Sequence, residues 1–216
     1  MHLYICLDAG RPIRASVVFP LRISSAMNNS AAYPAPNLKP VDPDTHPTIR
    51  VGETGGYSPG GPLVINPDDY LETESGRLFT PERNRQAWQQ AYARLESALA
   101  QPVRGVTLYL VMGVQGAGKS TWISSNLDRL GARAVVFDAA LPARRHREQS
   151  LGIAARHGVP AIAVFLNTSL EVAKSRNNQR SVDKRVPVSA LESVYSLLDP
   201  PSEDEGFMEV QTIAVR

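Results

Sequence analysis

The chain has 216 residues, enough for one α/β domain with a substantial core plus an appendage, and its net charge of +2 is too small to imply a nucleic-acid partner by itself. Its single cysteine, Cys6, excludes a disulfide framework and a cysteine-rich metal site, so a reducing compartment is expected. No apolar run approaches the roughly 18 residues that span a bilayer, which predicts a soluble, cytoplasmic protein with no membrane partner.

Residues 1–62 differ from the rest. Ten of the 17 prolines fall at or before Pro67, and residues 28–47 are mostly Asn, Ser, Ala, Pro and Asp with almost nothing to bury. This predicts a flexible N-terminal arm. Within it, 48–51 suits a short strand and 52–61 a glycine-rich loop, and Met27 is an alternative start. The folded domain is expected over 63–216. Residues 63–66 form a short apolar strand leading into Pro67, Asp68, Asp69 and Tyr70, which puts two carboxylates where a parallel strand meets its loop. After a turn, Thr80, Pro81 and Glu82 open a helix as N-cap, first-turn proline and first-turn acid. Trp88, Ala91, Tyr92, Leu95, Ala98 and Leu99 give it a core-facing stripe that needs no cofactor role, and Pro102 and Gly105 close it.

Residues 106–112 are a nearly continuous apolar run with β-branched members, suited to a strand buried on both faces of a parallel sheet. It stops at Gly113, Val114, Gln115, Gly116, Ala117, Gly118, Lys119, Ser120 and Thr121, which fit G-x-x-x-x-G-K-[ST] at every fixed position. Glycines let successive N–H groups turn inward around phosphates, Lys119 adds a point charge, and Ser120 can ligate magnesium at a helix N-terminus. ATP and Mg2+ are the cofactors this predicts. A helix over 121–130 ends at Gly131, and 134–138 is a further buried strand ending in Asp138, placed to orient a metal water. Arg144, Arg145 and Arg147 open the next helix, and acceptor binding and helix solvation fit them equally. A strand over 159–166 precedes a helix over 170–179, whose end runs into a basic loop carrying Arg176 and Arg180, one helical turn apart and able to face a nucleotide. A helix over 188–198 and a strand over 207–215 complete the chain. Strands alternate with helices throughout, which predicts a three-layer α/β/α sandwich on a parallel sheet of about five strands. His146 and His157 lack partners at metal-ligand spacing and receive no role.

From residue 63 onward the sequence resembles the P-loop kinases that include phage polynucleotide 5'-hydroxyl kinases, with AAA- and zeta-toxin-like ATP-binding kinases as more distant relatives. Residues 64–70 look like that family's acceptor-base strand, 113–122 like its phosphate loop, 135–138 with Arg144 and Arg145 like its Asp-ended strand and following helix, and 176–180, 186–187 and 205–207 like its lid and tail. The resemblance implies Asp68 as general base, Lys119 as β/γ-phosphate ligand, Ser120 as magnesium ligand and Arg180 as lid arginine. Two departures stand out. Asp68 and Asp69 precede the phosphate loop, as in a circular permutation, which predicts an edge position for their strand with the Asp138 strand between it and the phosphate strand. Leu71 replaces an arginine that grips the acceptor's phosphate, and Ala139 and Ala140 replace polar residues. The expected activity is transfer of the γ-phosphoryl of ATP to a hydroxyl, either a polynucleotide 5'-end or a small alcohol. The alternative is an ATP-binding module that hydrolyses slowly and acts through conformation or partner binding.

Overall fold

The computed structural model describes residues 61–101 and 103–215. Residues 1–60 of the arm, with its strand at 48–51, its glycine loop before Gly61 and the alternative start at Met27, and the helix-closing Pro102 lie outside the described residues.

Strand β1 (Leu63–Ile65) leads into a 3-10 turn over Pro67–Leu71. Two short strands, β2 (Glu72–Thr73) and β3 (Gly76–Arg77), then pair as an antiparallel hairpin. The sequence predicts only a turn here. Two residues per strand show no periodicity, and the hairpin closes on local chemistry: Gly76 sits at φ +104, and the Thr73 hydroxyl donates to the Gly76 carbonyl at 2.6 Å. Helix α1 (Pro81–Leu99) starts as expected, with the Thr80 side chain accepting from the Arg83 N–H.

The alternation continues through β4 (Thr107–Met112), α2 (Lys119–Leu130), β5 (Ala134–Asp138), α3 (Arg144–Arg156), β6 (Ala161–Thr168), α4 (Leu170–Asn178), α5 (Val188–Ser196) and β7 (Glu209–Val215). The main sheet has five strands in the order β1-β5-β4-β6-β7, and every neighbouring pair is parallel. The strand that leads into Asp68 and Asp69 is therefore at an edge, with the Asp138 strand between it and the strand before the glycine-rich loop, as predicted. Ala91, Leu95, Ala98 and Leu99 of α1 and Ile153 and Ala154 of α3 pack on one face with Val135 and Phe137. Trp122, Ile123 and Leu130 of α2, Ala173 of α4, and Leu191 and Val194 of α5 cover the other with Tyr109, Val111 and Val136. Both faces of the central strands are thus buried, which is why those strands read as continuous apolar runs.

Candidate active site

Parallel strands all end on the same side, so the loops after β1, β5 and β4 lie in a row along one edge of the sheet. After β4 the chain must pass close to its neighbours. A Cβ on Gly113 would stand 2.8 Å from the Leu166 carbonyl oxygen, and one on Gly116 2.5 Å from that of Ala173, so only glycine fits at either position. Lys119 begins α2 and curls back, its Nζ donating to the carbonyls of Gly113 at 3.0 Å and Val114 at 3.3 Å. Burial holds this amine below the ordinary lysine range, with the Asp138 charge pulling the other way. Ser120 is exposed at the mouth of the site, and Thr121 follows in the same helix turn.

Asp138 ends β5 at 4% exposure. Its Oδ2 accepts from Asn66 Nδ2 at 3.1 Å, while its buried Oδ1 has no hydrogen-bond partner. Burial pushes this carboxyl above its usual range, and the nearby Lys119 charge opposes that. The same Asn66 side chain also accepts from the Asp68 N–H at 2.9 Å. One amide therefore fixes the Asp138 carboxylate and the first turn of the acidic loop relative to each other.

Asp68 is half exposed and accepts from Arg77 Nη1 at 2.7 Å. Arg77 comes from the unexpected hairpin and also holds Glu72. Asp69 is exposed and lies outside the cleft lining. Its carboxyl is pushed up to about 6, by crowding of neighbouring atoms first and then by the Asp138 charge. Water still reaches it, so that shift does not make it the base. Of the two carboxylates, Asp68 is the one in the cleft.

A cleft of about 150 Å³ brings together Asp68, Gln115, Lys119, Ser120, Asp138 and Arg180. Arg180 follows the end of α4, and burial lowers its pKa. Arg176 lies in α4 itself, its Nη1 3.6 Å from where a Cβ on Gly118 would be, so it flanks the phosphate loop outside the cleft lining. The basic loop after α4 is closed at its base by buried Asn177, which donates to the Val186 carbonyl at 2.7 Å and accepts from the Val186 N–H at 3.0 Å. Its tip meets the hairpin, with Asp183 beside Gly76 and Lys184 Nζ 3.6 Å from Glu72.

The basic cluster on α3 does not belong to the cleft. Arg147 is fully buried and grips Glu205 through two hydrogen bonds of 2.6 Å, and it also donates to the carbonyls of Asp199 at 2.9 Å and Leu141 at 3.3 Å. Arg144 pairs with Asp204 at 2.7 Å, and Arg145 is exposed. Neither acceptor binding nor helix solvation describes Arg147, because helical spacing alone does not reveal that the loop before β7 folds across α3. Trp88 packs on Tyr92 and Phe137, yet it also lines the cleft. Asn66, Arg77 and Asn84 all reach the site; only Asn66 carried a signal, as an Asn-Pro step at a strand end.

A family described as AAA domain matches residues 129–201, about a third of the chain. The crystal structure of AvrRxo1-ORF1:AvrRxo1-ORF2 with sulphate ions is similar over 54% of this chain and 56% of its own, at 13% identity and a TM-score of 0.36. This chain thus spans little more than half of that one. No curated protein matches. The five-stranded parallel sheet covered by helices on both faces, with a glycine-rich turn after β4, is an α/β architecture consistent with the P-loop NTPase fold.

Proposed function

We propose that the protein is an ATP- and magnesium-dependent kinase that transfers the γ-phosphoryl group to a hydroxyl acceptor. The observation that carries this reading is the meeting of Lys119, Asp138, Asp68 and Arg180 in one cleft, at the ends of three adjacent parallel strands and the start of a basic loop. Phosphoryl transfer requires a cradle, a metal position, a proton acceptor and positive charge over the migrating group, and each has a residue here.

In this reading the backbone of 113–118 holds the β- and γ-phosphates, with Lys119 released from its two loop carbonyls to reach them and Arg176 flanking the loop. The residues fit a magnesium ion: Ser120 is open to the cleft, and the unpartnered Asp138 Oδ1 is an acceptor suited to a metal-bound water. No group of three His, Cys, Asp or Glu side chains forms a metal cage among the described residues, and a magnesium held largely by phosphate and water needs none. A magnesium ion held by Ser120 and through water by Asp138 would supply positive charge against the phosphates. Asp68, oriented by Arg77, takes the proton as the acceptor oxygen forms its bond to the γ-phosphorus and the bond to the leaving ADP breaks. Arg180 lies over the transferred group. The position of the base strand before the phosphate loop in sequence, yet two strands from it in the sheet, supports a circularly permuted relative of the polynucleotide-kinase type.

The test is ATP turnover with magnesium across 5'-hydroxyl oligonucleotides, nucleosides and sugars. One acceptor is expected to yield labelled product. Asp68→Asn is expected to lower that rate by about 10²- to 10⁴-fold while retaining ATP binding, and Lys119→Ala to weaken both. ATP binding with no transfer to any acceptor, unaltered by Asp68→Asn, would refute the kinase.

A further inference from the structure

Beyond Asp68, away from the phosphate loop, the cleft continues into a wall made by the β1–α1 connection. Neighbouring strands are spaced about 4.8 Å apart, so the β1 end of this wall stands roughly 10 Å across the sheet from the phosphate strand, while its α1 part rests on Phe137 of the intervening β5. It therefore faces the position of an acceptor rather than of the phosphate donor.

The wall has three parts. Trp88 is half buried: it leans on Tyr92, with ring centroids 5.5 Å apart, and on Phe137 at 6.2 Å, and its remaining surface lines the cleft beside Phe79. Leu71 and Pro67, both buried, make an apolar floor. Asn84, in the first turn of α1, is 9% exposed and lines the same space. The Asn84 backbone N–H is used by the Thr80 carbonyl, but its side-chain amide makes no hydrogen bond among the described residues. An amide that lines a cavity and makes no bond within the protein is placed to pair with whatever fills that cavity. An amide offers a donor and an acceptor side by side, the pattern that matches the edge of a heterocyclic ring, while an aromatic face supports that ring by stacking.

We propose that the acceptor is a nucleoside-like alcohol, whose planar heterocycle lies against Trp88 and Phe79 and hydrogen-bonds to the Asn84 amide, leaving its hydroxyl at Asp68. The transfer step itself rests on the kinase reading above; the ring subsite does not. Leu71 fits this assignment. Where a phosphate grip was expected, the wall offers apolar surface, which suits a ring better than an anion.

Two readouts on the full chain test it. The first is steady-state transfer with nucleosides and with the matching free pentoses. The second is saturation-transfer NMR of the nucleoside ring protons in the presence of a non-hydrolysable ATP analogue and magnesium, which requires no turnover. Asn84→Asp keeps the side-chain volume but replaces the donor; Trp88→Leu removes the stacking face, and Trp88→Phe preserves part of it should the leucine variant fail to fold. Expected are about a tenfold rise in KM for the nucleoside in Asn84→Asp and Trp88→Leu, kcat changing less, partial recovery in Trp88→Phe, and parallel loss of ring-proton signal. Free pentoses as good as nucleosides, or variants that leave ring binding unaltered, would overturn the proposal while leaving the kinase intact. An equal loss of ATP affinity would overturn it too, by assigning the ring position to ATP. Ring binding lost in the variants with no transfer to any acceptor would support the subsite and count against the kinase.

Discussion

Asp138 gives up water to stand at the centre of the cleft, and the fold compensates it only partly, with one amide from Asn66 and the field of Lys119. Its raised pKa means that the folded state holds the proton more tightly than the unfolded chain does. The stability this group contributes is therefore complete below the unfolded value of about 3.9 and is lost as the pH rises through the folded pKa. Asp138→Asn is expected to melt higher than wild type at neutral pH, by about 2–4 °C for each kcal/mol of penalty relieved, with the gap closing in acid. Melting curves of both proteins from pH 3 to 8 measure this, and a gap that does not change with pH would contradict it. Arg147 is the opposite case, a buried charge whose partners are complete. Arg147→Ala leaves Glu205 buried and unpaired and is expected to cost about 3–5 kcal/mol in denaturant unfolding. It also frees the carbonyl of Leu141, a buried non-glycine residue at φ +43 just after the Asp138 strand, so activity should fall along with stability. At this scale the sequence was readable where chemistry is tied to a local pattern. Lys119, Ser120 and Asp138 follow from strand ends and a fixed spacing. Arg77 and Asn84 do not, because what gives them meaning is a cavity assembled from segments far apart in the chain.

Helix α4 touches the phosphate loop at its start and the basic loop at its end. The closeness of Gly116 to Ala173 makes the two elements one body: at φ +83 and 2.5 Å from a backbone oxygen, a Cβ has nowhere to go. Gly116→Ala must move either the loop or α4, and is expected to destabilise the fold by about 1–3 kcal/mol through strain and to abolish nucleotide binding, as fluorescent ATP-analogue titration would record. Asn177, fully buried, pins the far end of the same unit to Val186. Asn177→Leu is expected to leave the helix in place but free the loop carrying Arg180, lowering kcat more than ATP affinity. Helices with caps and stripes were legible, α1 above all, with Thr80, Pro81 and Glu82 each in the expected place. The hairpin was not, since four paired residues held by one glycine, one threonine hydroxyl and the Arg77–Glu72 pair look like any polar turn.

Across the whole molecule, strict alternation of apolar runs with amphipathic helices was enough to give a parallel sheet covered on both faces. The edge position of β1 could be anticipated only through a family pattern, because apolar spacing says that a strand is buried but not beside which neighbour. That placement has a further consequence, for the order in which the molecule assembles. Asn66 meets Asp138 across 72 residues of chain, and β1 contributes three residues of pairing at the rim of the sheet. The contiguous strands β4, β5 and β6 close shorter loops and bury both faces, so they have the means to form first, with β1 and the hairpin docking onto a finished rim. The cleft wall made by β1 and the hairpin is then expected to be the weakest-held part of the domain. Amides of β1 and the hairpin should exchange hydrogen faster than those of β4 and β5, through opening smaller than global unfolding. A domain built this way can open the β1 side of its cleft while the side that carries the glycine-rich loop stays shut.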